Sequence, residues 1–314
     1  MRYIIKVNGQ PVQGYKKHEF SMTERVNFFD SFDFSLANVT LNLPKDLYSV
    51  INLDAMNHIE VYDACNNLLV YGTGYKPVYN SYEQRIELEV VPALAELAKY
   101  ENVFVENSLD TGTLMRALLS PHIKQPYTLG LFPTSGIQTA VNSTDVTNTS
   151  ALIQNLCEVS QTGLAIRGNA VSAIEFPRAW PQQVMDVTKS PFLKSRPAAI
   201  TPKVEYIYDK VTVSYFTHKG ATAASISSGS GSREKLYDVP EPLYITGAQA
   251  ERVAVLHHKI FNRQYWQCDN FECSSDLDLF VGDYIGFEDF VFMVYSKTMS
   301  EAQTVYGLIG VIKT

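Results

Sequence analysis

Five carboxylates near the C-terminus are the residues of this sequence best suited to acid–base chemistry. They are Asp276, Asp278, Asp283, Glu288 and Asp289. A glycosidase needs two carboxyl groups set apart across a sugar cleft, one with a raised pKa, and Asp276 with Asp283 would be that pair in a carbohydrate-active β protein. A calcium loop needs alternating oxygen ligands around a tight glycine, an order that this segment lacks. The preferred interpretation is that the five residues form turns between short strands.

Two adjacent histidines are the next candidates. On a helix, His257 and His258 would point about 100° apart, whereas a shared metal ion usually takes residues at i and i+4. We therefore expect one histidine to pack and the other to be solvated. No histidine has a nearby serine or cysteine in the setting of a nucleophile elbow.

The cysteines and a short glycine motif also have structural interpretations. The chain has four cysteines, Cys65, Cys157, Cys268 and Cys273. None belongs to the paired C-x-x-C motif of a zinc site, so we expect reduced and buried thiols. Gly72 and Gly74 form a G-x-G motif without the third glycine or the following helix of a phosphate cradle, which favours a β-turn or bulge. The sequence thus predicts no catalytic, cofactor-binding or metal-binding residue and a protein that is not an enzyme.

Composition places the chain among soluble, sheet-rich proteins. Apolar residues make up 46% of the 314 residues, with 19 Tyr and 16 Phe, a bias typical of strands. The 33 acidic residues outnumber the 26 basic ones, which argues against direct binding of nucleic acid because such binding needs a clustered basic surface. No apolar run approaches the roughly 18 residues of a membrane span. No signal peptide is expected either, so we expect the protein to be made in the cytoplasm.

Two similar β-meanders are the elements that would organise this chain. Three strand-like runs between Ile59 and Val90 are separated by turns, and three more lie between Tyr284 and Ile309. One barrel-like unit near each end could place two similar faces around an axis. This arrangement favours a component of a ring over an enzyme with a pocket.

Changes of pattern divide the chain into three parts and indicate an α+β fold dominated by β-structure. We predict an N-terminal β-barrel-like domain at 1–98, and a small lateral α+β domain with a proline-rich connector at 99–200. The connector, with prolines from Pro177 to Pro202, is expected to be irregular, without helix or strand. A C-terminal β-barrel-like domain related to the first follows at 201–314. It contains one helix and a Gly/Ser-rich loop at 218–235, which we expect to be mobile.

Capping residues predict where the helices begin and end. A short helix is expected after Pro92. The expected N-caps of three longer helices are Asp110 or Thr111, Thr149 or Ser150, and Thr246. Gly163 is expected to end the second of these in the left-handed conformation. A hairpin should then run from Leu164 to Phe176.

The order of these parts resembles the bacteriophage tail or baseplate hub family, the trimeric rings that close the distal end of a tail tube. The segments that carry the resemblance are Ile59 to Val91 followed by Pro92 to Leu97, Ser150 to Glu158 leading into Leu164 to Phe176, and Gly247 to Ala254 with Leu279 to Ile285 and Phe292 to Val294. Together they extend the resemblance over essentially the whole chain.

The resemblance implies a structural role in a virion tail that is assembled in the host bacterial cytoplasm. Two similar barrels in each subunit of a homotrimer would make a pseudo-sixfold ring, which fits a hexameric tube above and a threefold tip below. The implied partners are the tail tube or distal tail protein, a tip, spike or fibre protein, and the tape-measure protein. DNA would pass through the channel without specific binding.

Two further expectations accompany the resemblance. Family members often continue into a fibre, protease or lysozyme-like domain, and since this chain stops at Thr314 we expect no enzymatic or receptor-binding role. An alternative function is a distal-tail adaptor of a tail or injection machine with a different symmetry. Three copies in the particle rather than six would favour the hub.

Overall fold

The structure is a computed structural model of the chain. It describes residues 3–11, 19–28, 33–44, 51, 57–63, 65–82, 85–92, 101–102, 108–123, 127–141, 147–167, 169–194, 199–204, 207–274, 277–300 and 303–313. Within these residues the architecture is β-dominated and contains three α-helices.

The N-terminal part consists of strands. They are β1 (Tyr3–Val7), β2 (Gln10–Pro11), β3 (Glu19–Asn27), β4 (Asp33–Pro44), β5 (Asn57–Asp63), β6 (Leu68–Asn80) and β7 (Arg85–Pro92). Side chains of β1 alternate between buried and half-buried, as expected for a strand with one face on a core. Asn8 and Gly9 have φ values of 49° and 78°, the left-handed backbone that a two-residue hairpin turn requires. Pro92 ends β7, and the helix predicted after it falls outside the described residues.

The middle part combines two helices with short strands. In chain order they are β8 (Glu101–Asn102), β9 (Leu109–Asp110), α1 (Thr111–Leu119), β10 (Thr128–Leu129), β11 (Gln138–Val141), β12 (Thr147–Asn148), α2 (Thr149–Ser160), β13 (Thr162–Arg167), β14 (Ala170–Glu175), β15 (Met185–Asp186) and β16 (Thr201–Lys203). Asp110 caps α1 as predicted. Asn148 caps α2 instead of Thr149 or Ser150, and Gln161, not Gly163, has the left-handed φ of 52° at its end. β13 and β14 form the predicted hairpin, whereas β15 and β16 lie in the connector that was predicted to be irregular.

The C-terminal part begins with a small sheet and continues with a helix and four strands. They are β17 (Lys210–Tyr215), β18 (Ala224–Gly229), β19 (Glu234–Asp238), β20 (Leu243–Tyr244), α3 (Gly247–Phe261), β21 (Tyr265–Cys273), β22 (Tyr284–Phe287), β23 (Phe290–Ser300) and β24 (Thr304–Ile312). Thr246 caps α3 as predicted. The segment at 218–235, which is predicted to be a mobile loop, contains β18, which pairs with β17 along its whole length, and the start of β19, which pairs with β17 on the other side. Main-chain hydrogen bonds order this segment although its side chains bury little apolar surface.

One large sheet joins the two ends of the chain. Its strand order is β16-β21-β24-β23-β3-β4-β7-β6-β5-β1-β2, with β22 paired to β23 and β15 to β22. Both predicted meanders are confirmed, since β5, β6 and β7 are consecutive antiparallel neighbours and so are β22, β23 and β24. The prediction of two separate barrels differs from this arrangement, because β3 pairs with β23. Among the described strands, no pairing closes either half into a barrel.

Each half of this sheet has the same strand order. We call β3-β4-β7-β6-β5-β1 the N-terminal unit and β16-β21-β24-β23-β22-β15 the C-terminal unit. In both units the strand before the meander returns to pair with the last strand of the meander. The long central strands β6 and β23 each bulge against that last strand, between Tyr75 and Val78 and between Val294 and Ser296. The units differ at one end, where β1 is antiparallel to β5 but β15 is parallel to β22.

Three apolar cores stabilise these elements. Ile5, Val61 and Leu88 belong to the core of the N-terminal unit, and Phe292 and Tyr306 to that of the C-terminal unit. The third core joins the three helices to the β13–β14 hairpin, β17 and the end of β3. None of the helices in the described part of the chain is long and apolar enough to span a bilayer.

Candidate assembly interface

The carboxylates near the C-terminus serve as turn and cap residues. Asp283 pairs with Arg167 and accepts the backbone N–H of Phe280 at 2.9 Å. Glu288 and Asp289 form the turn between β22 and β23. Asp276 lies outside the described residues, so Asp283 is the one member of the candidate glycosidase pair that the structure describes. The other four carboxylates lie in turns and loops between strands, as the sequence predicts.

The cysteines follow the prediction of buried thiols in three of four cases. Cys157, Cys268 and Cys273 are free and buried, whereas Cys65 is free and exposed in the turn after β5. Burial raises the pKa of the Cys157 thiol to about 12, which keeps it protonated and unreactive near neutral pH. Among the described residues, no group of three or more His, Cys, Asp or Glu side chains is arranged to hold a metal ion.

The two histidines of α3 are both enclosed. His257 is buried, its Nε2 lies 3.3 Å from the carbonyl oxygen of Val159, and its ring packs against Tyr237. Burial lowers the pKa of His257 to about 3, so the ring is neutral. His258 is half-buried, and its Nε2 lies below Gly229, where a Cβ atom would approach it to 2.4 Å. The expectation that one histidine packs is confirmed by His257, whereas His258, which was expected to be solvated, is partly exposed and has an enclosed Nε2.

The G-x-G motif lies inside strand β6 and not in a turn. A Cβ atom on Gly74 would come within 2.5 Å of Leu88 Cδ2 on β7, so glycine permits the close packing of the core there. The predicted bulge begins directly after the motif, between Tyr75 and Val78. The glycines therefore shape the N-terminal unit and do not cradle a ligand.

The most distinctive contact in the molecule is the junction of the two units. The second half of β23 pairs with β3, placing Met299 opposite Met22 and Thr298 opposite Thr23. The two threonine hydroxyls are 3.0 Å apart, within hydrogen-bond distance. Met22 and Met299 are 6% and 1% exposed, and both belong to the core of the N-terminal unit. The C-terminal unit thus completes the apolar core of its counterpart.

A buried acidic residue and a buried basic residue lie together in the same junction. Glu24 and Lys297 stand opposite each other in register, and both side chains are buried. The Glu24 carboxylate accepts the backbone N–H of Ile166 on β13 at 2.8 Å. Burial raises the pKa of Glu24 to about 8, although the Ile166 N–H and Lys297 act in the opposite direction. The Lys297 ammonium also lies 5.3 Å from the ring centroid of Phe280. Sequence reasoning did not identify this site, because its partners are far apart in the chain.

Part of β6 and the outer side of β16 have no paired strand among the described strands. β5 pairs with β6 only as far as Gly74, and the rest of β6 pairs with β7 alone among the described strands. β16 pairs with β21 and ends the strand order at the opposite side. Apolar side chains near these edges are exposed, 58% for Val78, 96% for Tyr82 and 50% for Val204. Exposed apolar residues grouped at a strand edge are typical of surfaces that bind another chain.

An open groove of about 430 Å³ lies between α3 and the turn at 135–137. Arg178 donates to the carbonyl oxygen of Ser135 at 3.2 Å, and Arg252 donates to that of Gly136 at 2.7 Å. These arginines hold the turn against α3. The two arginines of the groove are therefore already used in the fold.

Comparison with known proteins identifies the fold. No family model matches the sequence, and no curated protein matches it. The structure is similar to the 43 kDa tail protein of prophage MuSo2 from Shewanella oneidensis, with a TM-score of 0.65, 11% identity, and coverage of 100% of this chain and 99% of that one. It is also similar to the prophage tail protein gp18 from Listeria monocytogenes EGD-e, with a TM-score of 0.59, 9% identity, and coverage of 100% and 96%.

A third similar structure comes from a secretion machine. It is an E. coli component of the type VI secretion system, described as structurally similar to the T4 bacteriophage tail proteins gp27 and gp5. The TM-score is 0.51 at 13% identity, and the match covers 98% of this chain and 75% of that one. Over its whole length, the chain therefore has the fold of phage tail proteins, the fold that the sequence resemblance implied.

Proposed function

We propose that the protein is a non-enzymatic structural component of a phage or phage-like tail, a homotrimeric hub that adapts a sixfold tail tube to a threefold tip. The observation that carries this proposal is the repeated strand order of the N-terminal and C-terminal units. Three copies would provide six similar units, so a threefold ring could bind a hexameric tube at six near-equivalent positions. The whole-chain likeness to prophage tail proteins supports the same role.

The proposed hub has three parts and several neighbours. The ring would be built from the parts at 1–98 and 201–314, with the part at 99–200 on its outside. Its neighbours in the virion would be the tail tube or distal tail protein, a tip, spike or fibre protein, and the tape-measure protein. The net charge of −7 is consistent with a channel that lets DNA pass without binding it.

The copy number tests this proposal directly. Native mass spectrometry of the purified protein, followed by electron cryomicroscopy of the assembly, should give three chains in a ring with pseudo-sixfold symmetry. A protein that stays monomeric at all accessible concentrations, alone and with tail tube protein, would contradict the hub. Neighbouring open reading frames should include a long helical tape-measure gene.

A second candidate is an adaptor of an injection machine with a different symmetry. The likeness to a type VI secretion component favours it, because that protein shares the fold outside a virion. Six copies in the ring would support the adaptor, and three copies would support the hub.

A further inference from the structure

We infer that the end of β6 and the outer edge of β16 form the contact between neighbouring copies of this chain, with β16 of one copy lying along β6 of the next. This inference rests on the proposed trimer and adds the surfaces that hold it together. Its basis is the contact that the chain already makes within itself, between β3 and β23.

The internal contact follows a simple rule. β22 covers the first part of β23, and the first strand of the other unit, β3, covers the remaining part from Ser296 to Ser300. In the N-terminal unit, β5 likewise covers the first part of β6 and leaves the stretch from Tyr75 to Asn80 beyond it. By strand order, the counterpart of β3 is β16, which pairs with β21 as β3 pairs with β4. Applying the same rule places β16 against the end of β6.

The polarity of the strands agrees with this placement. β3 is antiparallel to β23. Three successive antiparallel pairings lead from β3 through β4 and β7 to β6, and three lead from β16 through β21 and β24 to β23. β16 would therefore run antiparallel to β6, as the rule requires. Within one chain, six strands separate β16 from β6 in the order of the sheet. β16 ends the strand order, whereas β6 is followed by β5, β1 and β2 and has only its stretch beyond Gly74 left without a strand on that side among the described strands. Because the two surfaces differ, their contact would be head-to-tail, which can close into a ring.

The side chains at the two edges differ from those of the internal junction in burial. Met22 and Met299 are almost completely enclosed where β3 meets β23, whereas Val78 on β6 and Val204 just after β16 are at least half exposed. A second copy of the chain is the occupant that would enclose them, because β3 and β23, the strands at the corresponding positions, pair within one chain.

Prolines at both edges limit the main-chain hydrogen bonds that the contact can contain. Pro77 lies in the bulge of β6 and Pro202 lies in β16, and neither has a backbone N–H to donate. The contact between copies is therefore held by side-chain packing and few main-chain hydrogen bonds. Prolines at both edges also hinder pairing with unrelated strands, which suits a surface that must bind only its own kind.

Cross-linking tests the inference. In a Cys65→Ser background, which removes the exposed native thiol, we expect Val78→Cys with Thr201→Cys to give covalent species of two and three chains with a short bis-maleimide reagent. Thr201→Cys with Leu236→Cys is the matched control, since Leu236 is exposed on β19, which belongs to a different sheet. Val78→Cys alone should stay monomeric on the gel, because a head-to-tail contact does not bring two copies of Val78 together.

The possible outcomes separate this inference from the proposed function. A trimer by native mass spectrometry whose cross-links do not exceed those of the control would overturn the β6–β16 contact and leave the hub intact. Cross-linking of Val78→Cys alone would indicate an isologous dimer and would also overturn the contact. A protein that is monomeric by mass would overturn both proposals.

A charge at the edge provides a second readout on folded protein. Val78→Lys should raise the concentration at which the trimer half-dissociates by about tenfold or more, because the lysine would be buried in the contact without a partner of opposite charge. Leu236→Lys should leave that concentration unchanged. Circular dichroism should show both variants folded, and equal dissociation of the two would contradict the assigned contact.

Discussion

The N-terminal and C-terminal units have the same strand order but unequal first strands. β3 extends from Glu19 to Asn27 and pairs on both sides, with β4 and with β23. Its counterpart β16 has three residues, one of them Pro202, and pairs only with β21 among the described strands. The same position in the fold is therefore a permanent junction in one unit and a short edge in the other.

This difference shows how a repeated unit can be used for two purposes. The junction contains apolar packing, paired hydroxyl groups and the buried residues Glu24 and Lys297, all of which come together when the chain folds. A contact made by β16 would have fewer groups to offer and could form later, when copies meet. Changes at the junction should therefore act on folding, and changes at the edges should act on assembly.

The largest effect is expected at the buried Glu24. At pH 9, above the Glu24 pKa of about 8, Glu24→Ala removes the carboxylate that stands opposite Lys297 and accepts the Ile166 N–H, and should lower the free energy of unfolding by about 3–5 kcal/mol. Glu24→Gln keeps an acceptor and the shape of the side chain, so its loss should be smaller. Urea unfolding measures both, with exposed Glu251→Ala on α3 as the control. Equal and small losses for all three variants would show that the pair does not stabilise the junction.

A smaller but clear difference is expected between core and edge truncations. Met299→Ala leaves a cavity in the core of the N-terminal unit and should lower the free energy of unfolding by about 2–4 kcal/mol. Val78→Ala should change it by less than about 0.5 kcal/mol, because that side chain is exposed in the single chain. Denaturation at a concentration where the protein is monomeric makes the comparison. Similar losses would mean that Val78 already belongs to a core within one chain.

How much of this organisation could be predicted from sequence depends on the distance between partners. Asp110 and Thr246 identify helix starts because a cap acts within three residues, and the two meanders were recognised from local alternation. The pairing of β3 with β23 joins residues such as Thr23 and Thr298, and no local pattern encodes that choice. The two units were therefore predicted as separate barrels, although their strands share one sheet.

Segments ordered mainly by their neighbours were also harder to predict. The Gly/Ser-rich segment lacks the apolar side chains of a typical strand, yet β17 supplies a full set of main-chain partners to β18. His258 was expected in solvent because helix periodicity cannot show that the chain at Gly229 covers it. In the candidate interface, sequence indicated the repeated units but could not say which edges are already used.

The buried Glu24 should also give the protein a distinctive dependence on pH. The pKa of Glu24 is about 8 in the folded protein and has its ordinary value of 4.5 when exposed. Between these values the folded protein binds more protons at this site than the unfolded chain, so its contribution to stability decreases as the pH rises from about 4.5 to about 8. Urea midpoints of wild type and Glu24→Gln should diverge over this range, with the variant gaining relative to wild type toward pH 8. Parallel curves would show that Glu24 does not titrate in this window.

The smallest effect, and the most specific to the comparison, is expected at Pro202. A proline in an edge strand usually lies where its nitrogen, which has no hydrogen to donate, faces solvent and not the neighbouring strand. Pro202→Ala restores one donor at the edge of β16, so it should change the free energy of unfolding by less than about 0.5 kcal/mol. One added hydrogen bond between copies should tighten the trimer by about 2–10-fold, measured by mass photometry across a dilution series. A rise in light scattering without tighter trimers would instead show that the proline acts mainly against indiscriminate strand pairing, and unchanged assembly would mean that β16 does not meet another strand.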